Sequence, residues 1–230
     1  MRPRHLPRIM LLLAALLGGC AADRDATSPI EGANLLMNAS FEDGRDPWFA
    51  LVTANWEGFE LTDRYAVRGR RSAHLALRAD KSAEGTRIAG VVQEVSPRQF
   101  PRRLSGFYRI EGWVRGAPKQ YLQVVVIVVG EPGAKPYQSH QIRYVLAGVD
   151  KPPLRIANAK YAFAGAADLQ EGRWSGFDLD LHADFQRQWG QVPKDFSKIR
   201  VLFEVRYDDK EAEAGEAKAD VYYDDLYLGE

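Results

Sequence analysis

One cysteine, Cys20, stands in a chain of 230 residues, so no internal disulfide can staple the fold. Long apolar runs are also missing. The nine residues Ile9 to Leu17 fall well short of the roughly 20 that a membrane-spanning helix needs. No charge of either sign is in excess, with 31 basic and 31 acidic residues. That balance removes the basic surplus that draws nucleic acid or anionic lipid. Histidine is scarce, and His74, His140 and His182 have no second His or Cys at ligand spacing. The chain has no G-x-S-x-G elbow, no P-loop and no dinucleotide fingerprint. Its adjacent carboxylates, Asp208-Asp209 and Asp224-Asp225, would point to opposite faces of a strand. Neither pair can flank one scissile bond as glycosidases require, although distant carboxylates can still meet in space.

The N-terminus carries what the rest lacks. Arg2, Arg4 and Arg8 precede the apolar run, and small residues follow it, the layout of a secretory signal. Leu17-Gly18-Gly19-Cys20 resembles the bacterial lipobox, in which the cysteine sulfur is acylated and becomes the new N-terminus. This implies a signal peptide over residues 1–19 and a lipid (palmitate-bearing) anchor at Cys20. Several acyl chains are needed for stable anchoring, at about 0.8 kcal/mol per buried methylene. By the same resemblance Ala21, in place of an aspartate, points to the outer membrane. Removing three arginines from the 31 basic residues, against 31 acidic ones, leaves a net charge of −3. Residues 20–33 are small and polar and read as a tether. Residues 34–230 read as one domain, since no repeat or second shift in composition interrupts them.

Within that domain apolar residues alternate. Ala73, Leu75 and Leu77 share a face, with Ser72, His74 and Arg78 opposite. Phe177, Leu179 and Leu181 alternate with Asp178 and Asp180. Tyr108, Ile110, Gly112 and Val114 would share one face of a strand, and Arg109, Glu111, Trp113 and Arg115 the other. Val124 to Val129 is apolar on both faces, as in a central strand. Turn signals lie at Arg68-Gly69, Glu131-Pro132-Gly133 and Pro152-Pro153. One helix is expected at His182–Trp189, with Phe185 and Trp189 on one side and Gly190 as its stop. About ten strands and one short helix predict an all-β, two-sheet antiparallel sandwich, with barrel closure as the alternative.

Two ends of the domain carry a family likeness. The start reads Asn34-Leu35-Leu36-Met37-Asn38-Ala39-Ser40-Phe41-Glu42-Asp43-Gly44, and the end reads Ala219-Asp220-Val221-Tyr222-Tyr223-Asp224-Asp225-Leu226-Tyr227-Leu228. Between them lie Val67 to Leu75, Val91-Val92-Gln93 and Tyr108-Arg109-Ile110 in the expected order. The pattern resembles galactose-binding-like jelly rolls, in particular CenC-type carbohydrate-binding modules. Residues 130–172 do not fit the usual module and read as extra strands or long loops. The resemblance implies pairing of the first and last strands, pinned in many members by structural Ca2+. It would place Glu42 and Asp224 as carboxylate ligands, with carbonyls from Ser40 and from around Val67 and Arg70. An ion pair to Arg68, Arg70 or Arg71 is the alternative partner for Asp224.

Sugar recognition needs an aromatic face for the ring and planar polar groups for its hydroxyls. Trp113 among Arg109, Glu111 and Arg115, with Tyr121 and Gln123 on the following strand, is the best candidate site. Burial of Trp113 under residues 130–172 is the competing reading. Trp48, Trp174 and Trp189 are expected in the core, and Trp56 in a loop. Asp208 to Asp220 is expected as a solvated hairpin loop. The function implied is noncatalytic glycan binding in the bacterial envelope. A scaffold that binds an envelope protein partner through the same fold is the second reading, and a polysaccharide hydrolase or lyase the third.

Overall fold

A computed structural model describes residues 33–130, 139–165 and 169–230. The signal peptide, Cys20, nearly all of the tether and the Glu131-Pro132-Gly133 turn lie outside these residues. Eleven strands and one helix are described: β1 (Trp56–Glu57), β2 (Glu60–Thr62), β3 (Ser72–Ala79), β4 (Gly85–Val95), β5 (Arg103–Val114), β6 (Lys119–Gly130), β7 (His140–Ala147), β8 (Ala159–Phe163), β9 (Trp174–Asp180), α1 (Leu181–Trp189), β10 (Phe196–Lys210) and β11 (Ala217–Gly229). No described helix is long and apolar enough to cross a membrane.

The strands form two sheets, β1-β4-β10-β6-β7-β8 and β2-β3-β11-β5-β9. Pairing is antiparallel except at two edge contacts, β1 with β4 and β7 with β8. This is the two-sheet sandwich that alternation predicts. Its core takes Leu75 and Leu77 from β3, Leu104 and Ile110 from β5, Val124 and Val126 from β6, and Val201 and Phe203 from β10. Strand β6 is apolar on both sides because its outer residues, Val125 and Ile127, pack with Val92 and Leu202 in a smaller cluster. Trp48 is buried beside Phe41 and Phe203.

The N-terminal motif works through hydrogen bonds. Asn34 donates its side-chain amide to the Leu226 carbonyl, while its Oδ1 accepts from the Leu36 and Leu228 amides. Gln93 clamps Met37 through its side-chain amide, whose Oε1 accepts from the Met37 amide and whose Nε2 donates to the Met37 carbonyl. The first segment is thereby fastened to the last strand. Helix α1 starts at Asp180, whose carboxylate accepts from the Ala183 amide at 2.9 Å, and Gly190 ends it. Residues 130–172 contribute β7 and β8, which extend the six-stranded sheet. The expected loop from Asp208 begins later, because β10 runs to Lys210 and Asp208 is buried within it.

Candidate functional site

The structure separates the residues that sequence reasoning grouped around Trp113. Strands β5 and β6 are consecutive in the chain but lie in opposite sheets, so Tyr121 and Gln123 cannot join Arg109 and Glu111 on one surface. Alternation in β5 also breaks. Gly112, at φ 57°, sits where the pairing with β11 shifts register between Asp220 and Lys218. Such a bulge moves the following residue to the other face, and only glycine adopts this φ readily. Trp113 therefore turns inward and packs against the core. Arg109 pairs with Glu111 at 2.5 Å and lies 4.0 Å from the centroid of Tyr65. Arg115 donates to the Gly148 carbonyl at 2.6 Å. It borders a separate cavity of about 470 Å³ with Pro118, Lys119, Lys151 and Pro152.

Tyr121 and Gln123 belong to a different constellation, the outer face of the six-stranded sheet. Register places Ile88, Arg206 and Tyr121 in one cross-strand row, Gly90, Glu204, Gln123, Val145 and Phe163 in the next, and Val92, Leu202, Val125, Arg143 and Tyr161 in a third. The sequence signal for β10 is Glu204-x-Arg206-x-Asp208, with Phe203, Val205 and Tyr207 between them facing the core. Arg206 reaches Glu204 at 3.3 Å and also pairs with Asp208. Tyr121 donates its hydroxyl to Asp208 at 2.7 Å, and Thr86 does so at 3.3 Å. Gln123 donates its amide to Glu204. Burial opposes the charge on Arg206, but Glu204, Tyr121 and Asp208 outweigh it and hold the guanidinium pKa above its ordinary value. Burial, reinforced by the Asp208 charge, pushes the Tyr121 hydroxyl upward.

Four polar atoms on this face are buried without a hydrogen-bond partner among the described residues: Trp56 Nε1, Gln123 Oε1, Arg143 Nη1 and Tyr161 OH. A buried polar atom left unpaired costs about 1–3 kcal/mol. Such groups gathered on one sheet face are what a polar ligand would satisfy. Burial raises the pKa of Tyr161, with Arg143 and Arg206 acting against it, so the hydroxyl keeps its proton and can donate.

Trp56 supplies the aromatic surface. It leads the edge strand β1, pairs in register with Ile88, and packs against the cluster of Val92, Val125 and Leu202. Its indole lies on Gly90, where a Cβ would come within 2.5 Å of Cζ2. Only a residue without a side chain lets the ring lie so close to the sheet. Gly90→Ala is expected to displace the indole and quench or shift the tryptophan emission, while the melting temperature falls by a few degrees. An unchanged emission spectrum in the folded variant would contradict the contact.

The two carboxylates assigned to calcium hold one loop. Glu42 Oε1 accepts from the Arg70 and Arg71 amides at 2.8 and 2.6 Å. Asp224 Oδ2 accepts from the Val67 and Arg68 amides at 2.5 and 2.9 Å. The contacts of Val67 and Arg70 to these carboxylates thus run through N–H groups. Strict alternation would put Asp224 on the inward side of β11 with Leu226 and Leu228, but it lies on the outward side. The register shift between Asp224 and Tyr227 separates them. It is nonetheless buried, and burial pushes its pKa up to about 6. Arg68 pairs with Asp225 instead. Among the described residues no three His, Cys, Asp or Glu side chains cluster as a metal site.

No protein-family model matches the chain, and no curated protein matches it significantly. Solved structures share its shape. A structure of carbohydrate-binding modules of promiscuous specificity from the β-sandwich superfamily aligns at 17% identity and a TM-score of 0.50, covering 83% of this chain and 60% of that one. The module TmCBM61, solved with β-1,4-galactotriose, aligns at 14% identity and a TM-score of 0.45, covering 86% and 98%. The CBM22-1 xylan-binding domain of Xyn10C from Paenibacillus barcinonensis aligns at 15% identity and a TM-score of 0.45, covering 86% and 94%. At 17% identity, the likeness to the first of these is one of fold, the β-sandwich.

Proposed function

We propose that the chain is a noncatalytic glycan-binding protein whose site is the outer face of the six-stranded sheet. The observation that carries this reading is that Trp56 Nε1, Gln123 Oε1, Arg143 Nη1 and Tyr161 OH, all buried and unpaired among the described residues, lie on one sheet face, spread from β1 to β8 on either side of the Glu204–Arg206–Asp208 ladder. Trp56 offers a flat apolar plate for the CH surface of a sugar ring, and the polar atoms match hydroxyl donors and acceptors. The carbohydrate-binding modules among the structural neighbours support the same function. The carboxylates of β10 are already committed to Arg206, Gln123 and Tyr121, an arrangement suited to fixed orientation rather than proton transfer. A glycan array and affinity-gel screen of the protein tests the reading. Selective retention on a polysaccharide is expected, and no retention on any glycan would overturn it.

Two further elements belong to the proposal. Structural calcium would be held by Glu42 and Asp224, hard oxygen donors of the kind this ion takes, with carbonyls near Ser40, Val67 and Arg70. Asp224 supports it, being a buried carboxylate with no Lys or Arg side chain paired to it among the described residues. Calcium is expected to raise the melting temperature by several degrees over EDTA, and identical melting curves would remove the ion. Lipidation at Cys20, with residence in the outer membrane, would hold the site at the cell envelope. Cys20→Ala is expected to abolish palmitate labelling, and full labelling of that variant would rule the anchor out.

A further inference from the structure

The charges on the binding face are not all matched. Arg206 lies between Glu204 and Asp208, and both carboxylates are filled by Arg206, Gln123, Tyr121 and Thr86. Arg200, farther along β10, is paired with Glu94. Arg143 differs from both. Its Nε donates to the neutral side-chain oxygen of Gln141 at 3.0 Å, its Nη1 is buried and unpaired, and no described carboxylate lies within ion-pair distance. Beside it, in direct register on β8, stands Tyr161, whose hydroxyl has no hydrogen-bond partner either among the described residues. A guanidinium and a hydroxyl donor side by side, with no anion on them, form a receptor for a planar anion.

Resting on the glycan-binding reading above, we infer that this site selects acidic glycans, with Arg143 and Tyr161 on β7 and β8 receiving the carboxylate of one uronic-acid residue and the rest of the glycan running across the face toward Trp56 at the opposite edge. The Glu204–Arg206–Asp208 ladder carries one cation against two carboxylates and would repel such a group. Arg143 supplies the compensating charge on the same face, two strands from the ladder on β7, so the ligand's orientation is set as well as its class. A neutral sugar would leave Arg143 desolvated and without a counter-charge, which weakens its binding relative to the acidic one.

The test is affinity electrophoresis and calorimetry of the full chain on uronate oligosaccharides and on the same oligosaccharides after chemical reduction of their carboxyl groups. The uronate form is expected to bind about tenfold more tightly than its reduced counterpart, a difference near 1.4 kcal/mol, and the ratio is expected to shrink with salt. Arg143→Gln is expected to bring the ratio to about one, and Arg143→Lys, which keeps a charge but loses the planar fork, to an intermediate value. Equal binding of the two forms by the wild type, or a preference that survives in folded Arg143→Gln, would overturn the assignment. Tighter retention of a sulfate ester than of the uronate on the same backbone would overturn the choice of carboxylate. Binding of neutral glycans alone defeats this inference and leaves the glycan-binding reading standing, whereas binding of no glycan defeats both.

Discussion

Arg206→Met is expected to cost about 3–5 kcal/mol of folding stability, the range for stripping one partner from a buried ion pair. The Arg206, Glu204 and Asp208 side chains are only 8%, 3% and 1% exposed. Removing the guanidinium therefore leaves two carboxylates facing each other across one position of β10 in a poorly hydrated site. Chemical denaturation at neutral pH should read the loss as a fall in midpoint with an unchanged slope. Replacing all three residues together by Leu or Met is expected to cost far less, or to stabilise, because no charge then remains buried. That contrast separates the cost of stranding one buried charge from the net contribution of the whole ladder. A loss below about 1 kcal/mol in the single variant would mean that water reaches the carboxylates and that the face is not the dry polar surface described here.

Trp56→Ala is expected to weaken glycan binding by about 10- to 100-fold, equivalent to roughly 1.4–2.7 kcal/mol, while folding stability changes little. The residue sits on a two-residue strand at the sheet edge and is only partly buried. Little of the fold depends on it, yet it is the large aromatic surface at the β1 edge of the face that carries the unpaired polar atoms. Trp113→Ala should behave in the opposite way. Its ring packs into the core behind the Gly112 bulge, so truncation opens a cavity and destabilises the protein, and the folded fraction should retain its glycan affinity. If Trp113→Ala abolished binding and Trp56→Ala did not, the site would lie on the other sheet.

These two tryptophans show how far sequence reasoning reaches. Alternation in β3 and β9 identified inward faces correctly because both strands run without irregularity. The caps of α1 were legible in Asp180 and Gly190, since each acts on its own helix end. Strict alternation placed Trp113 outward, but one glycine in the left-handed region at 112 reverses everything after it. Nothing in the residue string distinguishes a bulge glycine from an ordinary strand glycine. Tyr121 and Gln123 were correctly seen to share a face but were grouped with the wrong strand. The jelly-roll crossover sends β6 to the opposite sheet from β5, a property of the topology rather than of either segment. The ladder Glu204-x-Arg206-x-Asp208 is legible as three charges at strand spacing, but only the tertiary fold shows that they are buried together. Arg143 and Tyr161 lie in the stretch that departs from the family pattern, and only pairing of β7 with β8 brings them together.

Amide chemical shifts of isotopically labelled protein, followed during titration with a retained oligosaccharide, would locate the ligand directly. The account expects perturbations grouped on β1, β4, β10, β6, β7 and β8 and centred on Trp56, Gln123, Arg143 and Tyr161. Perturbations grouped instead on β5 and β11, around Arg109 and Glu111, would contradict it.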